Sequence, residues 1–171
     1  GGCCMSNINV VIADDNERIR QNLQEIVSRE CDMTLVGSAS DGMDALSMIR
    51  TSHPDVVLLD IIMPKMDGLG VLEEVKKDEN LLKKPAFIIL TAMGQEEVME
   101  EAVRKADRLM YQAKIQKNMV VTERKSIDAD GMIHLEEEIK RTKQLIMIVD
   151  DSEINREILA SILEEDYQII E

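Results

Sequence analysis

The chain has 171 residues, enough for one ordinary domain or for one domain and a fragment of a second. Acidic residues outnumber basic ones by 34 to 20, and the net charge of −14 argues against DNA as a partner of this chain. No apolar run approaches the roughly 18 residues of a membrane span, and three cysteines without metal-ligand spacing indicate ordinary thiols in a cytoplasmic protein.

The N-terminal half alternates short apolar runs with amphipathic helical patterns, after residues 1–8, which are expected to be a tag or a disordered start. The apolar runs are Val10–Ala13, Thr34–Val36, Val56–Leu59 and Phe87–Leu90. Between them, Asp41-Gly42 and Asp67-Gly68 mark helix starts. Alternating strands and helices with continuously apolar strands predict a parallel sheet covered on both faces.

The pattern changes after Thr91. Gln95–Lys114 predicts one long helix in the position that follows the fourth strand, and Met119–Val121 predicts a fifth strand. The polar stretch Thr122–Gly131 predicts a linker, and Ile133–Lys143 predicts a charged helix that covers the sheet as its fifth helix.

An internal repeat marks the C-terminal end of the chain. Val10–Glu17 matches Ile146–Glu153 at an offset of 136 residues, and Tyr167–Ile170 then falls where a second strand would begin. We expect Leu145–Val149 to pair at a sheet edge or to lead a detached tail. An uncovered edge strand invites aggregation, which favours docking or dimerisation through this segment.

Three carboxylates follow predicted strands. Asp14 and Asp15 follow the first strand, and Asp60 ends the third. The carboxyl ends of parallel strands share one sheet edge, where these groups would repel one another unless a hard cation such as Mg²⁺ lies between them. Thr91 ends the fourth strand, where its hydroxyl could meet a phosphoryl oxygen. Each residue taken alone is equally typical of a helix cap or a turn.

These residues carry a family resemblance. Asp14-Asp15, Asp60, Met63-Pro64, Asp67-Gly68 and Thr91-Ala92 resemble the receiver domain of two-component response regulators. The segments around them are most similar to the receivers of the stage 0 sporulation regulators. The resemblance implies a flavodoxin-like, doubly wound α/β fold, irregular after the fourth strand and with a partial receiver repeat at the C-terminus.

The resemblance also implies roles for individual residues. Asp60 would be the phosphoacceptor and Thr91 the switch hydroxyl. Asp14, Asp15, Asp60 and the backbone carbonyl of Ile62 would hold Mg²⁺.

The chain departs from the family after Thr91, since no Lys-Pro follows to supply the family's phosphoryl-binding ammonium group. Residues 105–121 instead resemble the end of a diguanylate cyclase domain, without its catalytic Gly-Gly-acidic-Glu-Phe motif. The predicted organisation is therefore a receiver-like domain over 9–121, a linker and helix over 122–143, and a truncated second receiver over 144–171.

The leading functional interpretation is a phosphorelay receiver. It would take a phosphoryl group from a histidine kinase or a histidine phosphotransfer protein, without substrate turnover and so not as an enzyme. A homodimer is a further possibility, whereas direct DNA binding and membrane association are not expected. The alternatives are a pseudo-receiver or chimeric interaction module that binds Mg²⁺ without switching, and a remnant of a cyclic-di-GMP signalling protein.

Overall fold

A computed structural model describes residues 7–90, 99–100, 102–106, 108–110, 125–127, 133–135, 143–150 and 152–170. The strands are β1 (Ile8–Ala13), β2 (Met33–Ala39), β3 (Val56–Asp60), β4 (Ala86–Leu90), β5 (Lys125–Ile127), β6 (Ile133–Leu135), β7 (Gln144–Val149) and β8 (Tyr167–Ile170). The helices with defined bounds are α1 (Glu17–Arg29), α2 (Gly42–Ser52), α3 (Gly68–Lys77) and α4 (Glu153–Leu163).

Six strands form one parallel sheet in the order β2-β1-β3-β4-β7-β8. The central strands are continuously apolar because both of their faces are covered, as the sequence predicted. Alternate residues of each strand therefore enter opposite cores: Ile12 and Leu58 lie on one face, and Val11 and Val57 on the other. The predicted α/β doubly wound sheet is confirmed.

The start of the chain departs from the prediction of a tag or disordered segment over residues 1–8. The Asn7 side-chain amide donates to the Thr34 hydroxyl at 2.7 Å, and Ile8 is already part of β1. The backbone N–H of Ile8 donates to the Asp32 carbonyl, which ties the first strand to the approach of β2. Ile8 therefore belongs to the sheet, and Asn7 contacts the neighbouring strand through its side chain.

The strand beside β4 is not the one that the sequence predicted. β7 occupies this position, with Phe87 paired to Ile146 and Leu90 paired to Val149. The proposed fifth strand, Met119–Val121, lies outside the described residues. Leu145, Ile146 and Met147 are buried, so this apolar segment contributes to both cores between two neighbouring strands. It is neither an edge strand nor a detached tail.

The C-terminal repeat is consequently part of the same sheet. β7, α4 and β8 repeat the arrangement of β1, α1 and β2, with both outer strands parallel to their inner neighbours. The two units extend in opposite directions from the sheet centre. α1 packs on one face through Leu23, and α4 packs on the other through Leu163.

The helical residues between 99 and 110 lie on the α1 face. Met99, Ala102, Val103, Ala106 and Leu109 are buried in the core that contains α1. The fourth-helix position predicted for this segment would instead have placed it beside α2 and α3, because successive right-handed crossovers in one direction share a face. The strand beside β4 comes from far along the chain, so a simple crossover does not govern this helix.

The segment predicted as a linker and a helix contains two short strands. β5 and β6 pair antiparallel, with Ile127 opposite Ile133, where the sequence predicted a linker over Thr122–Gly131 and a helix over Ile133–Lys143. The prediction of helix is wrong for Ile133–Leu135. The alternation Ile-His-Leu at its start favours a strand, whereas the helical pattern came from the charged residues that follow.

Candidate phosphoryl and metal site

Three carboxylates meet at the carboxyl edge of the sheet. Ala13 pairs with Leu59, so the residues that follow them, Asp14 and Asp60, end neighbouring strands at the same level. One carboxylate oxygen each from Asp14, Asp15 and Asp60 lies within 4.8 Å of the others. Asp14 is buried, Asp60 is partly buried and Asp15 is exposed. The predicted grouping of these residues is what the structure shows.

The turn after β1 fixes the Asp14 carboxylate. Its Oδ1 accepts the backbone N–H of Asn16 at 2.9 Å, and Asn16 then caps α1 by accepting from the N–H groups of Arg18 and Ile19. The Arg20 guanidinium donates to the Asp14 carbonyl oxygen at 2.8 Å. Asp14 is therefore oriented by its own turn, and Asp15 is left facing solvent.

Burial and mutual repulsion perturb two of the three carboxyl groups. Desolvation and, after it, the neighbouring charges of Asp14 and Asp15 together raise the pKa of Asp60 to about 7, against the lowering effect of the backbone N–H of Ile62. Desolvation likewise raises the pKa of Asp14, with the Asn16 N–H acting in the opposite direction. The raised pKa values of Asp60 and Asp14 are what is expected of a site that a cation would stabilise.

The loop after Asp60 is held by α3. The Ile62 N–H lies 3.3 Å from Asp60 Oδ1, and the Gly68 N–H donates to the Ile61 carbonyl at 2.7 Å. A Cβ at Gly68 would overlap the Asp60 carbonyl oxygen, so glycine is required where α3 approaches the acceptor strand. Asp67 caps this helix by accepting the N–H of Gly70 at 2.7 Å, which confirms the predicted helix start.

Ile62 follows Asp60 by two residues and is 80% exposed, whereas Met63 is buried. The role of the Ile62 carbonyl as a metal ligand stays a prediction. Thr91 lies outside the described residues. The last described residue of its strand, Leu90, pairs with Asp60, so the strand leads to this edge.

A further acid, Asp150, lies at the same sheet edge, although the sequence analysis placed it in a separate, truncated receiver. β7 ends at Val149 opposite Leu90, so Asp150 follows at the same sheet edge, two strands from Asp60. Its Oδ1 accepts the Ser152 N–H at 2.7 Å, and Asn155 donates to its Oδ2 at 3.2 Å. The repeat pointed to this acid, but only the strand order shows that it shares the edge with Asp60.

The model of the response regulator receiver domain family matches residues 10–123, more than half of the chain. This chain belongs to the response regulator receiver domain family. The match ends before β7 begins, so the strand beside β4 comes from outside the matched region.

Solved structures of the same fold agree with this membership. The REC domain of AraT, a response regulator from Geobacillus stearothermophilus, is 26% identical with a TM-score of 0.54, over 63% of this chain and 98% of that domain. A LuxR-family DNA-binding response regulator from Staphylococcus aureus is 26% identical with a TM-score of 0.52, over 60% and 98%. The response regulatory domain of mrkE from Klebsiella pneumoniae, at 22% identity and a TM-score of 0.52 over 61% and 99%, shows the fold alone.

Family membership brings general expectations to this edge. Receiver domains are generally phosphoacceptors, typically bind Mg²⁺ at an acidic cluster, and interact with kinases or phosphotransfer proteins. The cluster of Asp14, Asp15 and Asp60 lies where such chemistry would take place. Within the described part of the chain, no helix is both long and apolar enough to cross a membrane.

Proposed function

We propose that this receiver accepts a phosphoryl group on Asp60 from a phosphohistidine of a histidine kinase or a phosphotransfer protein. The observation that carries the proposal is the position of Asp60. It ends an interior strand, it is partly buried between two further carboxylates, and burial raises its pKa to about 7. An acceptor carboxylate needs this combination of access, fixed orientation and nearby cation ligands.

The donor set fits Mg²⁺. All three groups offer carboxylate oxygens, the ligands that this hard cation prefers, and their oxygens already lie within 4.8 Å of one another. Asp14, Asp15 and Asp60 would hold the ion, with the Ile62 carbonyl as a further protein ligand. Bound Mg²⁺ would neutralise the negative charge that gathers when a phosphoryl group approaches.

The transfer itself requires ionised Asp60. A carboxylate oxygen of Asp60 forms a bond to phosphorus while the bond from phosphorus to the donor imidazole nitrogen breaks. The imidazole keeps that electron pair and takes a proton from solvent. With a pKa of about 7, Asp60 is a mixture of protonated and ionised forms at neutral pH, so a nearby cation also increases the reactive fraction.

The products of this step are an aspartyl phosphate and a free histidine, and we infer no further substrate turnover. Loss of the phosphoryl group to water would return the chain to its starting state. In this proposal the chain is a signalling component of the cytoplasm and not an enzyme. It makes no direct contact with DNA or with a membrane.

The proposal is tested with acetyl phosphate and Mg²⁺, by following phosphorylation of the intact chain by mass spectrometry. We expect uptake that disappears in Asp60→Ala and when Mg²⁺ is chelated. Asp150→Asn is the matched control, because it changes an acid at the same edge but two strands away. Undiminished phosphorylation of Asp60→Ala would refute the assignment.

One observation favours a second candidate function, a Mg²⁺-binding pseudo-receiver that switches poorly. The family resemblance calls for a basic group after the fifth strand, whereas β7 is followed by Asp150, a buried acid that accepts from Ser152 and Asn155. An acid at this edge repels a phosphoryl group. If Asp60 takes up phosphate without any change in amide chemical shifts beyond the site, this second function is the better one.

A finer proposal concerns the signalling context. The motifs around Asp14, Asp60 and Thr91 support a sporulation phosphorelay, and the helical segment that ends at 110 leads into the part that resembles a diguanylate cyclase tail. Phosphotransfer from a sporulation phosphotransfer protein, faster than from an unrelated one, would support the first assignment. A cyclic-di-GMP titration without binding would exclude the cyclic-dinucleotide alternative.

A further inference from the structure

Helix α4 carries an apolar stripe on its outer surface. Ile154, Ile158 and Ile162 are 68%, 53% and 55% exposed, and their spacing of four residues places them along one side of the helix. The side chains that face the sheet are different ones, Leu159 and Leu163, which pack in the core with β7 and β8. The stripe therefore makes no contribution to this core.

The N-terminal repeat provides an internal reference for this surface. Helix α1 aligns with α4 at an offset of 136 residues, and its residues at the positions of Ile154 and Ile158 are Arg18 and Asn22. Both helices cover the outer pair of strands on their side of the sheet. The third isoleucine, Ile162, aligns with Ile26, which is buried in the core on the α1 face. The first two positions carry polar residues in one copy and isoleucines in the other, so Ile154 and Ile158 are not a requirement of the fold.

The margin of the stripe is acidic. Glu153 and Glu157 are exposed on α4 itself, and Glu164 and Glu165 are exposed directly after its last residue. The basic residue of this helix, Arg156, is directed inward and donates to the Asp150 carbonyl. An apolar stripe with an acidic margin is complementary to an amphipathic helix whose apolar side is bordered by lysine or arginine.

A second copy of this chain fits the surface less well. Each copy carries a net charge of −14, and pairing across a two-fold axis would bring acid-bordered stripes together. Like charges at such a contact oppose association. The occupant that the charges favour is a basic segment of another protein.

We propose that the outer face of α4, formed by Ile154, Ile158 and Ile162, is a docking surface for a basic amphipathic helix. This surface is separate from the carboxylate cluster, and its binding requires no phosphorylation of Asp60. The proposed phosphoacceptor function and this surface can therefore fail independently.

The test uses the full chain and two synthetic helical peptides that share a leucine stripe, one bordered by lysines and the other by glutamates. Fluorescence anisotropy gives the affinities, and amide chemical shifts locate the contact. We expect the lysine peptide to bind more tightly and to perturb residues 153–163. The double substitution Ile154→Arg with Ile158→Asn, which installs the residues of α1, should weaken binding by about tenfold or more.

The matched control is Leu82→Asn, which removes a fully exposed leucine away from α4 and should leave the affinity unchanged. Equal binding of both peptides, no binding of either, or shifts confined to other elements would overturn the proposal. A concentration-dependent dimer in sedimentation that the double substitution abolishes would assign the face to a second copy, and would overturn it as well.

Discussion

The two ends of the sheet share a local design but differ in what lies beside it. In the β1-α1-β2 unit, Asn16 donates its backbone N–H to Asp14, and Arg20 donates to the Asp14 carbonyl. In the β7-α4-β8 unit, Ser152 and Arg156 make the same contacts with Asp150. The neighbouring strand decides the chemistry. β3 places Asp60 beside Asp14, whereas β4 pairs Leu90 with Val149, the residue before Asp150.

This comparison shows that an acid pair after a strand is a structural turn before it is a site. The carboxylate of Asp14 or Asp150 accepts the N–H of the residue that caps the following helix, Asn16 or Ser152, in both units alike. Burial, together with the charges of Asp14 and Asp15 beside the neighbouring strand, raises the pKa of Asp60 to about 7. Function at this edge therefore depends on strand order, which joins residues distant in the sequence.

The largest expected effect tests whether the two units belong to one cooperative fold. Ile12 in β1 and Ile148 in β7 are equivalent buried positions, and Ile→Ala at either should lower the free energy of unfolding by about 2–4 kcal/mol. We expect a single transition in urea, shifted by both variants, because β7 lies between β4 and β8. Leu82→Ala, at a fully exposed position, is the control.

A different result would separate the units. If Ile148→Ala left the main transition in place, or divided it into two, the C-terminal repeat would unfold on its own. Removal of everything from Gln144 onwards would then leave a folded receiver. With β7 inside the sheet, that truncation is expected to expose β4 and abolish the cooperative transition.

The second effect is the pH dependence of the free energy of unfolding, which comes from Asp60, the acid beside the β1-α1-β2 unit. The pKa of Asp60 is about 7 in the folded chain and 3.8 in an unfolded one, so between these values the native state holds a proton that the unfolded state has released. Stability should therefore fall as pH rises from about 4 to about 7. Asp60→Asn should remove this slope and stabilise the chain at pH 8 by roughly 2 kcal/mol in the absence of Mg²⁺.

An Asp→Asn substitution at Asp41 should change stability in the opposite direction. The Asp44 N–H and the Lys65 ammonium lower the pKa of Asp41, which caps α2, so Asp41→Asn should reduce stability at pH 8 instead of raising it. Urea unfolding across pH 4–8 measures both variants. A wild-type chain without a slope over this range would show that Asp60 titrates as an ordinary carboxyl group.

The sequence predicted the elements of the N-terminal half well, because each element had its own local signal. The apolar runs and Asp-Gly pairs located β1, β3, β4, α2 and α3, and the resemblance located Asp14, Asp15 and Asp60. Pairing partners have no such local signal. The segment Leu145–Val149 resembles β1 in sequence, and nothing in that pattern says that it lies beside β4.

The same reasoning explains the error over the helical residues 99–110. The prediction of a helix over Gln95–Lys114 agrees with the structure at these residues, and its apolar residues Ala102, Ala106 and Leu109 are buried. Which side of the sheet it covers depends on the route of the chain between β4 and β7. A periodic apolar pattern indicates that one face of a helix is buried, but it does not indicate which surface covers that face.

The third effect compares the two acid pairs as cation ligands. Asp15→Ala should weaken Mg²⁺ binding by about tenfold, since it removes one of three clustered carboxylates. Asp14→Ala is expected to weaken it less, because family resemblance assigns the direct ligand to Asp15. Asp150→Asn should change the affinity by less than about twofold, because two strand spacings, roughly 10 Å, separate its strand from β3.

Isothermal titration, or the stabilisation that Mg²⁺ gives to the folded chain, measures these affinities. Stability without Mg²⁺ serves as the control for each variant, since the Asp14 carboxylate also fixes a turn. Equal losses in Asp15→Ala and Asp150→Asn would mean that both pairs serve one metal site. The comparison between the two ends of the sheet would then have to be revised.

The smallest effect tests how the C-terminal unit is fastened to the receiver core. The buried Tyr167 hydroxyl donates to the Leu72 carbonyl in α3 at 3.0 Å, and Lys76 of the same helix pairs with Asp166. Tyr167→Phe keeps the ring and should lower the free energy of unfolding by about 1 kcal/mol, the usual value of one hydrogen bond. Lys76→Gln breaks an exposed ion pair and should cost about 0.5 kcal/mol or less.

Urea unfolding of both single variants and of the double variant measures this attachment. Burial raises the pKa of Tyr167 to about 12, so its ionisation at high pH, followed by ultraviolet absorbance, reports on the same contact. Lys76 also lies 5.9 Å from the centre of the Tyr167 ring, so the two substitutions should not be strictly additive. A Tyr167→Phe variant as stable as wild type, with Tyr167 titrating near 10 in the parent, would mean that β8 does not pack against α3 in solution.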